Sequence, residues 1–117
     1  MQIDVSEQHG ATVVKPADHR IDIEVAGELR TALLDLIDGG RRNLVVDLGE
    51  VSFIDSSGLG ALVSALKRLR TCERDGDIRL ANVQAPVVTL LEIIRLHRVF
   101  TSYQSVEDAA RSFPRLA

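Results

Sequence analysis

Residues 43–60 read Asn-Leu-Val-Val-Asp-Leu-Gly-Glu-Val-Ser-Phe-Ile-Asp-Ser-Ser-Gly-Leu-Gly, and this stretch decides the fold. Its first part, Asn43 to Leu48, is a short and nearly continuous apolar run, which is typical of a strand covered on both faces. A polar loop follows and ends in Asp55, Ser56 and Ser57. Apolar residues then recur at the spacing of a helix: Leu59, Leu62, Val63, Leu66 and Leu69. The stretch therefore predicts a buried strand, a short loop and a long amphipathic helix.

The start of this predicted helix carries two hydroxyl groups. A helix N-terminus presents unpaired backbone N–H groups and the positive end of the helix dipole, so a serine there is either a cap or a place to hold a phosphate. In the simpler interpretation Ser56 caps the helix and Asp55 adds a favourable negative charge. Gly58 and Gly60 each cost about 1 kcal/mol relative to alanine within a helix. We therefore expect this backbone to stay accessible to a partner or ligand.

The sequence before residue 27 predicts strands joined without a helix. Residues 21–25 alternate apolar and charged side chains, which indicates a strand with one exposed face that ends at Gly27. Weaker strands are predicted at residues 12–15 and 3–5. We expect these N-terminal strands to be antiparallel to part of the sheet.

After residue 27, helices and strands alternate. Four apolar residues at helical spacing predict a first helix that stops at Gly39-Gly40: Leu29, Leu33, Leu36 and Ile37. The later predicted elements are a turn at Asp75 to Asp77, a strand at Ile78 to Ala81, a helix that Pro86 opens and that runs to about Leu96, a strand at Val99-Phe100, and a final helix capped by Ser105 to Asp108. This order predicts an α/β fold, a single domain over residues 1–117 with a mixed β-sheet and about four packed helices.

Composition excludes several classes of protein. Apolar residues make up 45% and charged residues 26% of the 117 positions, which is ordinary for a globular domain. The net charge of −3 and the presence of only three phenylalanines and one tyrosine argue against a nucleic-acid partner. Cys72 is alone, which excludes an internal disulfide and a multi-cysteine zinc site. We find neither a signal peptide nor a membrane span in the sequence, so we expect a cytoplasmic protein without a membrane partner.

Residues 43–60 strongly resemble the STAS domain of bacterial anti-sigma factor antagonists. The resemblance continues through the helix at residues 61–74, the strand at residues 78–81, the stretch at residues 86–100 and the closing helix, so it covers nearly the whole chain. It implies that the unmodified protein binds an anti-sigma factor that is also a serine kinase of the histidine-kinase-like ATPase type. That binding frees a sigma factor for transcription.

The resemblance also implies a phosphorylation switch. The kinase uses ATP to phosphorylate the first serine after the aspartate, which is Ser56 here, and a PP2C-type phosphatase restores the binding form. Phosphorylation ends binding. The residues that the resemblance assigns to the partner-binding site are Asp55, Ser56, Ser57, Gly58, Leu59 and Gly60. We expect no catalytic residue, metal or cofactor in a protein of this kind.

One stretch departs from the family pattern. Related domains carry an additional loop, usually with an aspartate, between the early strand and the first helix. Here Gly27-Glu28-Leu29 runs directly into Arg30 and Thr31, so that loop and its helix cap are expected to be missing. In the family this loop lies near the phosphorylated serine and helps to contact the kinase. Three alternatives follow: this protein binds its partner differently, it has lost that binding, or the sequence lacks a segment of the natural protein.

Three alternatives stay open. A serine hydrolase would need a histidine base and a carboxylate near Ser56 or Ser57, but the pattern Gly-x-Ser-x-Gly is absent and His9, His19 and His97 are solitary. A phospho-receiver domain would place Asp47 beside further acidic residues that hold magnesium, and none is suitably placed. The strongest alternative lies inside the resemblance: a STAS subunit of an ABC lipid-transport system or a stressosome-type scaffold.

Overall fold

Seven strands and four helices make up the part of the chain that the computed structural model describes, residues 1–71 and 76–114. The strands are β1 (Ile3–Gln8), β2 (Ala11–Pro16), β3 (Arg20–Ile21), β4 (Asn43–Asp47), β5 (Phe53–Ile54), β6 (Asp77–Ala81) and β7 (Ser102–Tyr103). The helices are α1 (Ile23–Asp38), α2 (Ser56–Thr71), α3 (Ala85–Ile93) and α4 (Val106–Arg111), with a 3₁₀ turn at Leu96–Arg98. In the described ranges, no helix is both long and apolar enough to cross a membrane.

Five of the strands form a mixed sheet in the order β1-β2-β4-β6-β7. β1 is antiparallel to β2, and the other neighbours are parallel. The strand β4 is covered on both faces, because Leu44 and Val46 pack in the main core with residues of α1, α2 and α3 while Val45 packs in a smaller cluster with residues of α4. The structure confirms the predicted α/β fold, the mixed sheet and the buried strand at the start of the deciding stretch.

A separate pair of short strands prepares the starts of the two long helices. β3 and β5 are parallel and pair Arg20 with Phe53 and Ile21 with Ile54. α1 begins two residues after β3, and α2 begins two residues after β5. Both helix starts therefore lie side by side at one end of the molecule.

The predicted strand over residues 21–25 is wrong beyond Ile21. The helix α1 begins at Ile23, and Gly27 lies inside that helix. The alternation misleads because Ile23, an apolar residue, is 77% exposed, whereas Ala26, Leu29, Leu33 and Ile37 form the buried stripe of the helix. The predicted stop is confirmed, since α1 ends at Asp38 with Gly39 as its C-cap.

The C-terminal elements are close to those predicted, with one correction. Val99-Phe100 is not a strand: Phe100 is buried in the main core, and the last strand comes two residues later. Phe100 is apolar because it packs in the core, and this apolar character is unrelated to strand pairing. Pro86 lies in the first turn of α3, and the Ser105 hydroxyl accepts a hydrogen bond from the Asp108 N–H at the start of α4, both as predicted. Cys72 and the beginning of the predicted turn at Asp75 lie outside the described residues.

Candidate functional site

The cap of α2 is Asp55 rather than Ser56. Its Oδ1 atom accepts hydrogen bonds from the Ser57 N–H at 2.9 Å and from the Gly58 N–H at 3.1 Å. Its carbonyl accepts the first helical bond, from the Leu59 N–H at 3.0 Å. The prediction that Ser56 caps the helix is therefore wrong, because the carboxylate one residue earlier has already taken the free donors of the first turn.

Ser56 therefore has no role in capping the helix. It is the first residue of α2 and is exposed, whereas Ser57 is half-buried. In the described part of the chain, neither hydroxyl makes a hydrogen bond. The hydroxyl of Ser56 is therefore exposed at the start of α2 and makes no hydrogen bond to the described residues.

The two glycines of the first turns differ from one another. Gly58 is buried, and a Cβ added there would lie 2.5 Å from the Ile54 Cγ1 atom and 2.9 Å from the Ile21 carbonyl oxygen. Gly60 is exposed with open space around it. The accessible backbone expected of both glycines therefore holds for Gly60 alone, and Gly58 is needed for the close approach of α2 to the β3–β5 pair.

The other residues of the predicted site divide by depth. Leu59 is buried in the main core with 5% of its surface exposed, and Asp55 is half-buried. Among the six predicted partner-binding residues, Ser56 and Gly60 are the exposed ones. Gly58 and Leu59 are buried, so they hold the helix start in place and are not part of the exposed surface.

The first helix has the cap that the sequence analysis expected to be missing. Asp22 precedes α1, and its Oδ1 atom accepts a hydrogen bond from the Glu24 N–H at 3.0 Å. The expectation of a shortened loop at Gly27 to Thr31 is wrong, because these residues lie within α1. The chain between β2 and α1 is residues 17–22, and it includes the short strand β3. The Asp55 N–H donates to the Ile21 carbonyl at 3.1 Å and so joins the two helix starts.

Two exposed apolar side chains belong to the same helix starts. Ile23, the first residue of α1, is 77% exposed and Phe53 of β5 is 39% exposed. Arg20 of β3 and Phe53 of β5 are paired, and the guanidinium group of Arg20 lies 4.1 Å from the centre of the Phe53 ring. We call Arg20, Ile23, Phe53 and Ser56 the switch surface.

The sequence analysis missed Asp22 and Ile23 as members of this region. A signal was present: Asp22 is followed two residues later by Glu24, and the stripe of α1 extends back to Ala26 at helical spacing. An Asp before an acidic first turn is typical of a helix N-terminus. The alternation of residues 21–25 concealed it.

The residues that a serine hydrolase or a phospho-receiver domain would need make structural contacts instead. Asp47 is 7% exposed, and its Oδ1 atom accepts hydrogen bonds from the Gly49 N–H at 2.9 Å and from Asn82 Nδ2 at 3.2 Å. Asp47 thereby ties together the ends of β4 and β6. The Nδ1 atom of His19 lies 3.0 Å from the Glu50 carbonyl oxygen, and His9 lies 3.7 Å from the Glu107 carboxylate. Over residues 1–71 and 76–114, we find no cluster of three His, Cys, Asp or Glu that would hold a metal ion.

The chain belongs to the STAS domain family, whose model matches residues 2–109. It is 32% identical over 88 residues to BtrV of Bordetella bronchiseptica, which carries the name of an anti-sigma factor antagonist; the match covers 75% of this chain and 74% of that protein. It is 33% identical over 76 residues to the anti-sigma-B factor antagonist of Staphylococcus aureus, a match that covers 65% of this chain and 68% of that protein.

Solved structures agree with this assignment of the fold. The anti-sigma factor antagonist SpoIIAA in its unphosphorylated form superposes with a TM-score of 0.71 at 15% identity, over 96% of this chain and 100% of that one. The phosphorylated form of the Bacillus protein gives 0.70 at 16% identity over the same shares. At these identities the likeness shows a shared fold, and the family model and the named relatives place the chain among the STAS antagonists.

Proposed function

We propose that this protein is an anti-sigma factor antagonist whose binding is switched by phosphorylation of Ser56. The observation that carries the proposal is the exposed hydroxyl of Ser56 at the start of α2, which makes no hydrogen bond to any described residue. The partner is an anti-sigma factor that is also a serine kinase of the histidine-kinase-like ATPase type, and a PP2C-type phosphatase reverses the modification. The protein acts as a regulatory binding protein, and a phosphate acceptor, rather than as an enzyme.

The capping geometry explains why the modified protein would stay folded. Asp55 holds the N–H groups of Ser57 and Gly58, so the helix start does not depend on the Ser56 hydroxyl. A phosphate adds a charge of about −1.5 to −2 near neutral pH, and negative charge is favourable at a helix N-terminus. Because Asp55 occupies those donors, the phosphate stays at the surface instead of being drawn into the cap.

The switch surface explains how that charge would end binding. A partner that packs on Ile23 and Phe53 must also cover Ser56, and it would then enclose a phosphate beside the Asp55 carboxylate. An unpaired charge at a packed interface is costly. A loss of about 3 kcal/mol weakens affinity more than a hundredfold, so the switch requires no hinge or change of fold. Of the other predicted partner-binding residues, Gly60 is exposed, whereas Asp55, Ser57, Gly58 and Leu59 form the helix start beneath this surface.

The first experiment locates the phosphate. The protein is incubated with its cognate kinase, identified by a gene for a histidine-kinase-like ATPase beside a sigma factor gene, and with ATP. Phosphopeptide mass spectrometry is expected to place one phosphate on Ser56. Ser56→Ala should take up no phosphate, while the matched variant Ser57→Ala should be modified as the wild type is. A phosphate elsewhere, or equal modification of Ser56→Ala, would overturn the assignment.

The second experiment tests the charge switch. Calorimetry of kinase binding is expected to show Ser56→Ala at wild-type affinity and Ser56→Asp at least about a hundredfold weaker. Ser102→Asp, an exposed serine in β7 outside the switch surface, is the control for added charge and should bind normally. Equal affinity of Ser56→Ala and Ser56→Asp would contradict the mechanism.

The contribution of Ile23 is measured in the same assay. Ile23→Ser removes an apolar side chain that is 77% exposed, so the fold should keep its stability. Burial of that side chain by a partner would be worth about 1.5–3 kcal/mol, so the variant is expected to bind roughly tenfold to a hundredfold less tightly. Unchanged affinity would remove Ile23 from the partner-binding surface.

A further inference from the structure

A groove of about 750 Å³ lies at the end of the sheet opposite the switch surface. Its walls include Asn43 and Asp77 at the amino ends of β4 and β6, the residues that follow α1, and Phe113 and Pro114 after α4. Gly76 of this groove packs against Leu69, near the end of α2. Because the 16 residues of α2 span about 24 Å, the groove is far from Ser56 and separate from the proposed switch.

The charge in the groove favours an anion. Three arginines line it, Arg41, Arg42 and Arg79, together with two carboxylates. Arg41 is paired with Glu7, and the Nε atom of Arg79 lies 3.4 Å from the Asp77 carboxylate. Arg42 has no carboxylate partner in the described part of the chain, and its Nη1 atom donates to two backbone carbonyls, those of Ile37 and Arg41.

The guanidinium group of Arg42 has an unused edge. Its Nε atom is buried and has no hydrogen-bond partner, and within the described residues its Nη2 atom makes no hydrogen bond. The Nε and Nη2 atoms together form the fork that binds a carboxylate or phosphate through two parallel hydrogen bonds. A buried donor without a partner is unfavourable, so an anion that bonds to this edge satisfies it.

The backbone carbonyls beside Arg42 already accept hydrogen bonds. They carry the negative end of the α1 dipole, which is unfavourable for an anion, so the positive charge of Arg42 and Arg79 must outweigh it. The Ile37 carbonyl accepts from the Gly40 N–H and the Leu36 carbonyl from the Arg41 N–H, each at 3.0 Å.

The rest of the groove suits a flat apolar group. The guanidinium of Arg79 lies 4.3 Å from the centre of the Phe113 ring, and its Nη1 atom donates to the Ser112 hydroxyl at 2.5 Å. These contacts and Asp77 hold Arg79 in place before any ligand arrives, which lowers the cost of binding. Phe113 and Pro114 provide the apolar wall beside it.

We propose that this groove binds a small organic anion, a planar apolar ring that carries a phosphate or a carboxylate. The anionic group is held by the free edge of Arg42 together with Arg79, and the ring packs on the exposed Pro114 and on the small exposed part of Phe113, which is 7% of its surface. The volume of the groove lies within the range of small-molecule sites in proteins. The proposal does not depend on the phosphorylation of Ser56.

An NMR titration of the labelled protein tests the ligand class. The probes are 1-naphthyl phosphate and 2-naphthoate, with neutral 2-naphthamide and inorganic phosphate as controls. Both anionic probes are expected to shift the amide signals of Gly40, Asn43 and Asp77, and to bind about tenfold more tightly than either control. The tighter of the two shows whether phosphate or carboxylate is preferred. Equal binding of 2-naphthamide, or no shift of these signals at millimolar probe, would overturn the proposal.

Variants test the assigned residues. Arg42→Gln is expected to weaken the better probe about tenfold, and Arg42→Lys, which keeps the charge but lacks the fork, should also lose affinity. Arg30→Gln, an exposed arginine of α1 outside the groove, is the matched control and should bind as the wild type does. The amide spectrum of each variant reports folding directly. Wild-type affinity in a folded Arg42→Gln protein would contradict the role of Arg42. Ser56→Ala should bind the probe normally, so failure of this proposal and failure of the switch are distinguishable.

Discussion

The helices α1 and α2 begin in the same way and differ in the residue they expose. Each follows a two-residue strand, each is capped by an aspartate, and the two strands pair in register. The first helical residue is Ile23 in α1 and Ser56 in α2, and both are exposed. One helix start thus offers an apolar contact and its neighbour offers a hydroxyl.

At both helix starts, one residue caps the helix and the next residue is exposed. Asp22 and Asp55 carry out the capping at both helix starts, so the residue that follows each of them is free to serve a partner. With the cap one residue earlier, the proposed phosphorylation of Ser56 would leave the hydrogen bonds of the helix start unchanged.

The largest expected effect comes from the contact between α2 and the β3–β5 pair. Gly58→Ala would place a Cβ 2.5 Å from the Ile54 Cγ1 atom and 2.8 Å from the Ile21 Cγ2 atom, so the helix start must move. We expect a loss of about 3 kcal/mol in the free energy of unfolding, measured by urea denaturation.

Gly60→Ala is the matched control for Gly58→Ala. It lies in the same helix with open space around it and should raise the free energy of unfolding by up to about 1 kcal/mol. If both substitutions changed the free energy of unfolding in the same direction, the close approach of α2 would not be the reason for a glycine at position 58.

An intermediate effect is expected from the two caps. Asp55→Ala removes an acceptor of two backbone N–H groups and should cost about 2 kcal/mol, whereas Asp22→Ala removes an acceptor of one and should cost about 1 kcal/mol. Thermal unfolding of both variants in the same buffer gives the comparison. A larger loss for Asp22→Ala would reverse the assigned importance of the two caps.

The smallest effect is expected at the exposed first residues. Ser56→Glu and Ile23→Glu each add a negative charge at a helix N-terminus, and both should change the free energy of unfolding by less than about 1 kcal/mol in the stabilising direction. Chemical denaturation at low salt measures both. Strong destabilisation by Ser56→Glu would show that the Ser56 hydroxyl has a structural role. It would then contradict the assignment of the cap to Asp55 alone.

Most of the fold was predictable because its signals are local. The apolar run of β4, the stripe of α2 and the stop at Gly39-Gly40 depend on residues close in sequence, and the structure confirms them. The sequence also predicts that the helix start at residues 55–60 carries the two serines, and the structure confirms it.

The errors occur where a residue depends on distant contacts. Ile23 is apolar but exposed beside the start of α2, so its hydropathy indicates a strand that the backbone does not form. Phe100 owes its burial to the main core rather than to strand pairing. The sequence assigns the cap to Ser56 instead of Asp55 because both are good capping residues, and only the geometry decides which one bonds to the backbone.

The pairing of Ile21 with Ile54 has a consequence for the order of folding. These residues are 33 positions apart, and the bond from the Asp55 N–H to the Ile21 carbonyl forms only after the intervening loop has closed. The middle of α1 needs no such closure, since its hydrogen bonds are local. We therefore expect the first turn of α1 to form late, with small φ-values at Ile21 and Ala26 and larger ones at Leu33 and Leu44. Large values at Ile21 would place the junction of the two helices in the folding nucleus.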